Sequence, residues 1–133
     1  MSTRLPAAKI LLVDDNPVIL STVAKLVQAT IGTRIQVTTA RDGKEAIGAA
    51  KKSKPNIVLL DWMMPKYSGG FFLDEQSKDS DLMDIPVIIF TASDDPEIDK
   101  KAKNYPAVKK VLRKPTPPTQ LCDSIRPYLK LKG

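Results

Sequence analysis

Along the chain, short apolar runs alternate with stretches whose apolar residues recur every three or four positions. The runs are "KILLV" (Lys9 to Val13), "RIQVTT" (Arg34 to Thr39), Ile57 to Leu60 within "NIVLLDWMMP", "IPVIIFTAS" (Ile85 to Ser93) and "AVKKVL". Compact runs of this kind predict strands, and those without polar alternation predict burial on both faces, as in a parallel sheet. "AVKKVL" is the poorest, and its lysines mark it as an edge strand.

Between the runs the period is that of a helix. Leu20, Val23, Val27 and Ile31 follow Asn16 as N-cap and Pro17 at the first helical position, with Gly32 as the stop. Asp42, with Glu45 three residues on, opens a second helix through Ala46, Ile47 and Ala50. "FFLDEQSKDSDL" predicts a third, less apolar at Gln76 and Ser77. Asp95 and Pro96 open a fourth, with Ile98, Ala102 and Tyr105 as its stripe. A last helix carries Leu121, Cys122, Ile125 and Leu129 on one side, and Pro127 should bend it late. Five strands alternating with five helices predict one doubly wound α/β domain over residues 1–133, its core running from about residue 8 to 130.

With 133 residues and 42% apolar content, the chain can bury one core without staples. Cys122 is the sole cysteine, which excludes an internal disulfide and suits a reducing cytosol. The absence of histidine removes histidine triads, histidine metal sites and a histidine phosphocarrier role. No run approaches the ~20 apolar residues of a membrane span, so the expectation is a soluble, cytoplasmic protein with no membrane insertion. The net charge of +6 is uneven: from Asp99 onward ten bases face two acids, a net of +8, and the preceding residues carry −2. Such an end is first a solvated face and second a docking face for an acidic partner. No aromatic or recognition-helix signature accompanies it, which argues against direct nucleic-acid binding.

A buried strand that stops on a carboxylate needs a partner at its mouth, and strand mouths are where open parallel sheets bind ligands. The first run ends in Asp14-Asp15, the third in Asp61, the fourth in Thr91-Ala92 and the fifth in Lys114-Pro115. In a parallel sheet these ends share one edge. Three carboxylates, a hydroxyl and an ammonium then meet in one cleft, and like charges so placed need a cation. Lys114 supplies one, and Mg²⁺ suits the rest because it prefers oxygen ligands and bridges carboxylate to phosphate.

Taken in order, "LLVDDN", "IVLLDWMMP", "VIIFTAS" and "LRKP" resemble the receiver domain of two-component response regulators, the chemotaxis type in particular, over Ala8 to Leu129. The resemblance implies a flavodoxin-like strand order 2-1-3-4-5 and a phosphoryl acceptor at Asp61. It implies Mg²⁺ held by Asp14 (mostly through water), Asp15, Asp61 and the Met63 carbonyl. The Thr91 hydroxyl and the N–H groups of Ala92 and Met63 would hold phosphoryl oxygens. Lys114 would pair with Asp61 and then with the phosphoryl group, aimed by a cis Lys114-Pro115 peptide. The implied partners are a histidine kinase or phosphotransfer protein and a downstream target protein, reached through the basic face of residues 99–133. Catalysis would be limited to the protein's own phosphorylation and dephosphorylation.

The favoured reading is a stand-alone receiver, since no output domain is present. Its alternatives are the receiver portion of a larger DNA-binding regulator, a phosphorylation-independent adaptor, and a Mg²⁺-dependent phosphatase. Against the last, Met63 stands where such enzymes want a second acid. The chain also departs from the family. Val111 replaces the usual aromatic, Tyr105-Pro106-Ala107 replaces Ala-Gly-Ala, and the interval from Thr91 to Lys114 is about one residue longer than usual. The fourth helix should end abruptly at Tyr105-Pro106. Met63 and Ser93 should flank the path of the hydrolytic water, Trp62 should lie at the site rim, and Cys122 should be buried.

Overall fold

The computed structural model describes residues 8–32 and 34–129. Its strands are β1 (Ala8–Val13), β2 (Ile35–Ala40), β3 (Ile57–Leu60), β4 (Val87–Thr91) and β5 (Val108–Arg113). Its helices are α1 (Pro17–Thr30), α2 (Gly43–Ser53), α3 (Gly69–Ser77), α4 (Pro96–Ala102) and α5 (Pro118–Ile125). The strands form one sheet in the order β2-β1-β3-β4-β5, with every pairing parallel. The expected doubly wound architecture and strand order are therefore present. Among the described residues no helix is long and apolar enough to cross a membrane.

The central strands lack polar alternation because each face of the sheet is covered. Successive side chains point to opposite faces. Leu11, Val13, Val58, Leu60, Val87 and Ile89 pack with Ala46, Phe72, Leu73 and Ile98 from α2, α3 and α4. Ile10, Leu12, Ile57, Leu59, Ile88 and Phe90 pack with Leu20, Val23, Val27, Leu121 and Ile125 from α1 and α5. A single strand thus feeds both halves of the core. Burying each large side chain contributes roughly 1.5–3 kcal/mol, so an acid at Leu60 would cost one face its centre.

Helix starts follow the expected caps. Asn16 Oδ1 accepts from the N–H of Val18 and Ile19, Asp42 Oδ1 from Glu45, and Asp95 Oδ1 from Glu97. Three expectations need correction. First, α3 spans Gly69–Ser77, where the apolar pattern placed it over residues 71–82. Ser68 caps it by accepting from the Phe71 N–H, and residues 79–84 turn back toward the sheet. Gln76, which makes this helix less apolar in sequence, is buried, and its amide donates to the carbonyls of Leu82 and Ile85 at 3.0 and 2.9 Å. The polar residue is there to close the connection into β4.

Second, α4 ends at Ala102 and does not reach Tyr105. Ile98 and Ala102 are buried as the stripe requires, but Tyr105 sits beyond the helix. Its hydroxyl donates to Asp74 Oδ1 of α3 at 2.6 Å, and that bond to a carboxylate, with some burial, pushes its pKa up to about 12. Third, "IPVIIFTAS" is trimmed at both ends to Val87–Thr91. As expected at Pro127, α5 gives way to a 3-10 turn, Arg126–Tyr128.

The edge strand β5 contains a bulge. Val87 aligns with Val108, but Ile88 aligns with Lys110, leaving Lys109 without a partner on β4. Lys109 Nζ donates instead to the Pro106 carbonyl at 3.0 Å. A bulge and two exposed lysines guard an edge that would otherwise offer free backbone groups.

Candidate functional site

Backbone bonding of the sheet continues one residue past the strands and fixes the residues that follow. The Asp14 N–H donates to Ala40 O, Asp61 to Val13 O and Lys114 to Thr91 O, at 3.0, 2.9 and 2.8 Å. The side chains at the carboxyl edge are therefore placed by the sheet rather than by loops. Asp14, Asp61 and Thr91 are buried, and Asp15 is exposed.

Lys114 crosses from the end of β5 to the centre of this edge. Its Nζ makes an ion pair with Asp14 Oδ2 and lies 3.4 Å from Asp61 Oδ2. The ammonium also stands 5.3 Å from the centre of the Phe90 ring, a cation–π contact that keeps it over the pocket. The remaining carboxylate oxygens are met by backbone donors: Asn16 N–H to Asp14 Oδ1 at 2.9 Å, and Met63 N–H to Asp61 Oδ1 at 3.2 Å. Thr91 Oγ1 accepts from the Ser93 N–H at 3.3 Å.

These contacts compete over the charge of Asp61. Burial pushes its pKa up, Lys114, the Met63 N–H and the Thr91 hydroxyl pull it down, and the charge of Asp14 adds to the rise. Burial prevails. The pocket thus holds a carboxylate that gives up its proton less readily than usual, facing a fixed cation.

Carboxylate oxygens of Asp14, Asp15 and Asp61 lie within 4.8 Å of one another. Three acids against one ammonium leave the pocket net negative. An all-oxygen donor set of that charge fits a hard divalent ion of the Mg²⁺ type.

Every residue expected at the site lies at this edge, although in different ways. Asp14, Asp15, Asp61, Thr91 and Lys114 converge by side chain. Met63 is present through its backbone, its side chain being 60% exposed, and Ala92 is exposed just beyond β4. The Lys114-Pro115 peptide is cis. Trp62 is half-buried against the α2–α3 side of the core, and Val111 is half-buried on β5. Cys122 is buried in α5, and burial raises the pKa of its thiol.

Sequence reasoning missed three contributors. Phe90 was read only as strand core. Gly43, the first residue of α2, and Gly69, the first of α3, lie against the backbone of residues 61–68. The available signal was glycine in the first turn of a helix, where it has no propensity advantage.

Comparison with known proteins gives a consistent picture. The family model of the response regulator receiver domain matches residues 10–126. The chain is 33% identical to protein PilH of Pseudomonas aeruginosa over 122 residues, covering 92% of this chain and 98% of PilH. It is 31% identical to the alkaline phosphatase synthesis transcriptional regulatory protein PhoP of Bacillus subtilis, over 92% of this chain but 48% of PhoP. Among solved structures, the chemotaxis response regulator CheY4 of Vibrio cholerae superposes with a TM-score of 0.79 at 28% identity, over 91% of this chain and 98% of that one.

Proposed function

The chain belongs to the response regulator receiver domain family, and on that premise we propose that Asp61 accepts a phosphoryl group from a partner histidine kinase or phosphotransfer protein. The observation that carries this reading is Lys114 Nζ, held between Asp14 and Asp61 beside the buried Thr91. A carboxylate nucleophile needs to be ionised, positioned and partly neutralised, and these contacts supply all three.

In the transfer, an Asp61 carboxylate oxygen bonds to phosphorus as the donor's P–N bond breaks, and the bonding pair leaves on the imidazole nitrogen. Lys114 and the Met63 N–H favour the ionised form of Asp61 against its burial. The Thr91 hydroxyl and the N–H groups of Ala92 and Met63 receive the phosphoryl oxygens, and Lys114 shifts its pairing toward them. Asp14, Asp15, Asp61 and the Met63 carbonyl would hold Mg²⁺, which when bound supplies positive charge beside the transferred group. The exposed Met63 side chain narrows the approach of water to the acyl phosphate. Met63→Asn should therefore shorten the phosphoprotein's lifetime, and an unchanged lifetime removes Met63 from that role.

Function then lies in phosphorylation-dependent binding of a cytoplasmic target protein, or in onward transfer, with the lysines of α4 and β5 as the basic docking face. Coverage of 98% of PilH supports the stand-alone reading. Coverage of about half of PhoP supports a second, in which these residues are the receiver portion of a larger DNA-binding regulator. The size of the native protein on an immunoblot separates the two.

The test of the acceptor is intact mass after incubation with Mg²⁺ and acetyl phosphate, beside Asp61→Asn. A single phosphoryl adduct that needs Mg²⁺ and is absent from the variant is expected. An adduct that persists in Asp61→Asn, or none even with a cognate phosphodonor, overturns the assignment and favours the adaptor.

A further inference from the structure

The backbone that carries Met63 is held from outside the acid pocket. Between Leu60 of β3 and Gly69 of α3 the chain forms a tight loop, with Lys66 in the left-handed region at φ 63°. Two glycines on different helices let this loop lie close. Gly69 donates its N–H to Trp62 O at 3.0 Å, and a Cβ there would stand 2.7 Å from the Asp61 carbonyl oxygen. Gly43, the first residue of α2, donates its N–H to Tyr67 O at 2.7 Å. A Cβ on Gly43 would stand 2.5 Å from Ser68 O and 3.0 Å from Tyr67 O. The obstacle is backbone, which cannot swing aside as a side chain can, so an added carbon must displace the loop or the helix.

On its outer side the same loop is pinned by Tyr67. Its ring centre lies 4.8 Å from that of Phe71 and 5.5 Å from Lys44 Nζ of α2. Through the Tyr67 ring the loop is thus tied to Lys44 of α2 and, at a tilt of 59°, to Phe71 of α3, and neither contact touches the carboxylates. Gly48 is the natural contrast. It lies on the same helix, and a Cβ there would meet nothing within 4 Å.

Building on the acceptor role given to Asp61 above, we propose that Gly43 is a positioning residue for phosphoryl transfer. By letting residues 67 and 68 press against α2, it sets where the Met63 N–H stands beside Asp61. That N–H both holds Asp61 Oδ1 and shares a peptide backbone with the carbonyl assigned to the metal. Misplacement of a reacting geometry by about 1 Å can cost on the order of a hundredfold in rate, so a partial shift should be readily measured.

The experiment uses the full chain and the variants Gly43→Ala, Gly48→Ala and Tyr67→Ala at a temperature where each is folded. Three quantities are read: the Met63 amide resonance in metal-free protein, Mg²⁺ affinity from Trp62 fluorescence, and the phosphorylation rate across acetyl phosphate concentrations. Gly43→Ala should move the Met63 resonance, weaken Mg²⁺ binding and lower the maximal rate by about tenfold. Its half-saturating acetyl phosphate concentration should be unchanged. Gly48→Ala should match wild type within about twofold on each readout.

A Gly43→Ala protein that loses thermal stability but keeps the wild-type resonance and rate overturns the proposal, because Gly43 is then structural only. A moved resonance with an unchanged rate overturns it as well. Should Gly43→Ala fail to fold, Tyr67→Ala decides on the same readouts, since it loosens the loop without adding an atom. If wild type takes no phosphoryl group, the acceptor reading has failed. The Met63 resonance and Mg²⁺ affinity then decide whether Gly43 positions the loop at all.

Discussion

Two regions of this molecule are rich in charge and use it in opposite ways. At the carboxyl edge of the sheet, Asp14, Asp61 and Lys114 are largely buried, with side-chain exposures of 7%, 9% and 15%, and each meets a named partner. On α4, β5 and the turn between them, Lys100, Lys101, Lys103, Lys109 and Lys110 are exposed. Among the described residues only Lys100 of these five pairs with an acid, Glu97 at 3.2 Å. The buried set is directional, because low dielectric strengthens each contact and the sheet fixes its geometry. The exposed set acts at a distance and is screened by salt over about 10 Å. Burial, more than the number of charges, separates the fixed set from the screened one.

Removing the central cation tests this most severely. Lys114→Met leaves two buried carboxylates facing each other and should lower stability by about 3 kcal/mol at neutral pH in chelated buffer. Urea unfolding should show the deficit closing as pH falls through the carboxylate range. A loss under about 1 kcal/mol would mean that the pocket behaves as surface. Gln76→Leu asks whether burial alone is enough without charge. It strands the carbonyl of Ile85, leaves that of Leu82 with only the Ile85 N–H, and should cost about 2 kcal/mol.

A smaller effect of opposite sign is expected from Asp61→Asn. Burial raises the Asp61 pKa, so the folded chain binds that proton more tightly than the unfolded chain. Wild-type stability should therefore fall as pH rises from the ordinary carboxylate value through the raised one. Asp61→Asn should be the more stable protein at pH 7 without metal, and the difference should vanish in acid. Smallest of all, Lys101→Gln with Lys103→Gln should change stability by less than about 0.5 kcal/mol. A larger change would give those lysines a structural partner and weaken the contrast.

What could be read from the sequence was whatever one segment decides by itself. Apolar runs located the strands, and Asn16, Asp42 and Asp95 marked helix starts, because those signals act within a turn. The convergence of Asp14, Asp15, Asp61 and Lys114 followed once the sheet was taken as parallel, since parallel strands bring like ends to one edge. What escaped depends on segments far apart in sequence. Gln76 looks like a flaw until Leu82 and Ile85 fold back onto it. Tyr105 continues a helical period, yet its partner is Asp74, thirty-one residues away. Gly43 and Gly69 are placed by the backbone of the loop they press on, which no periodicity reveals.

The bulge at Lys109 has a consequence for Lys114 itself. In a strand, one residue too many sends every later side chain to the wrong face. Here the surplus is discharged near the start of β5, and the pairing from Ile88 with Lys110 to Thr91 with Arg113 proceeds in step. Lys114 therefore arrives beside Thr91 with its ammonium over the acids, as if the count had never been off. An insertion or deletion within residues 110–113 would have no such outlet. A length change is harmless at one end of this strand and ruinous a few residues later.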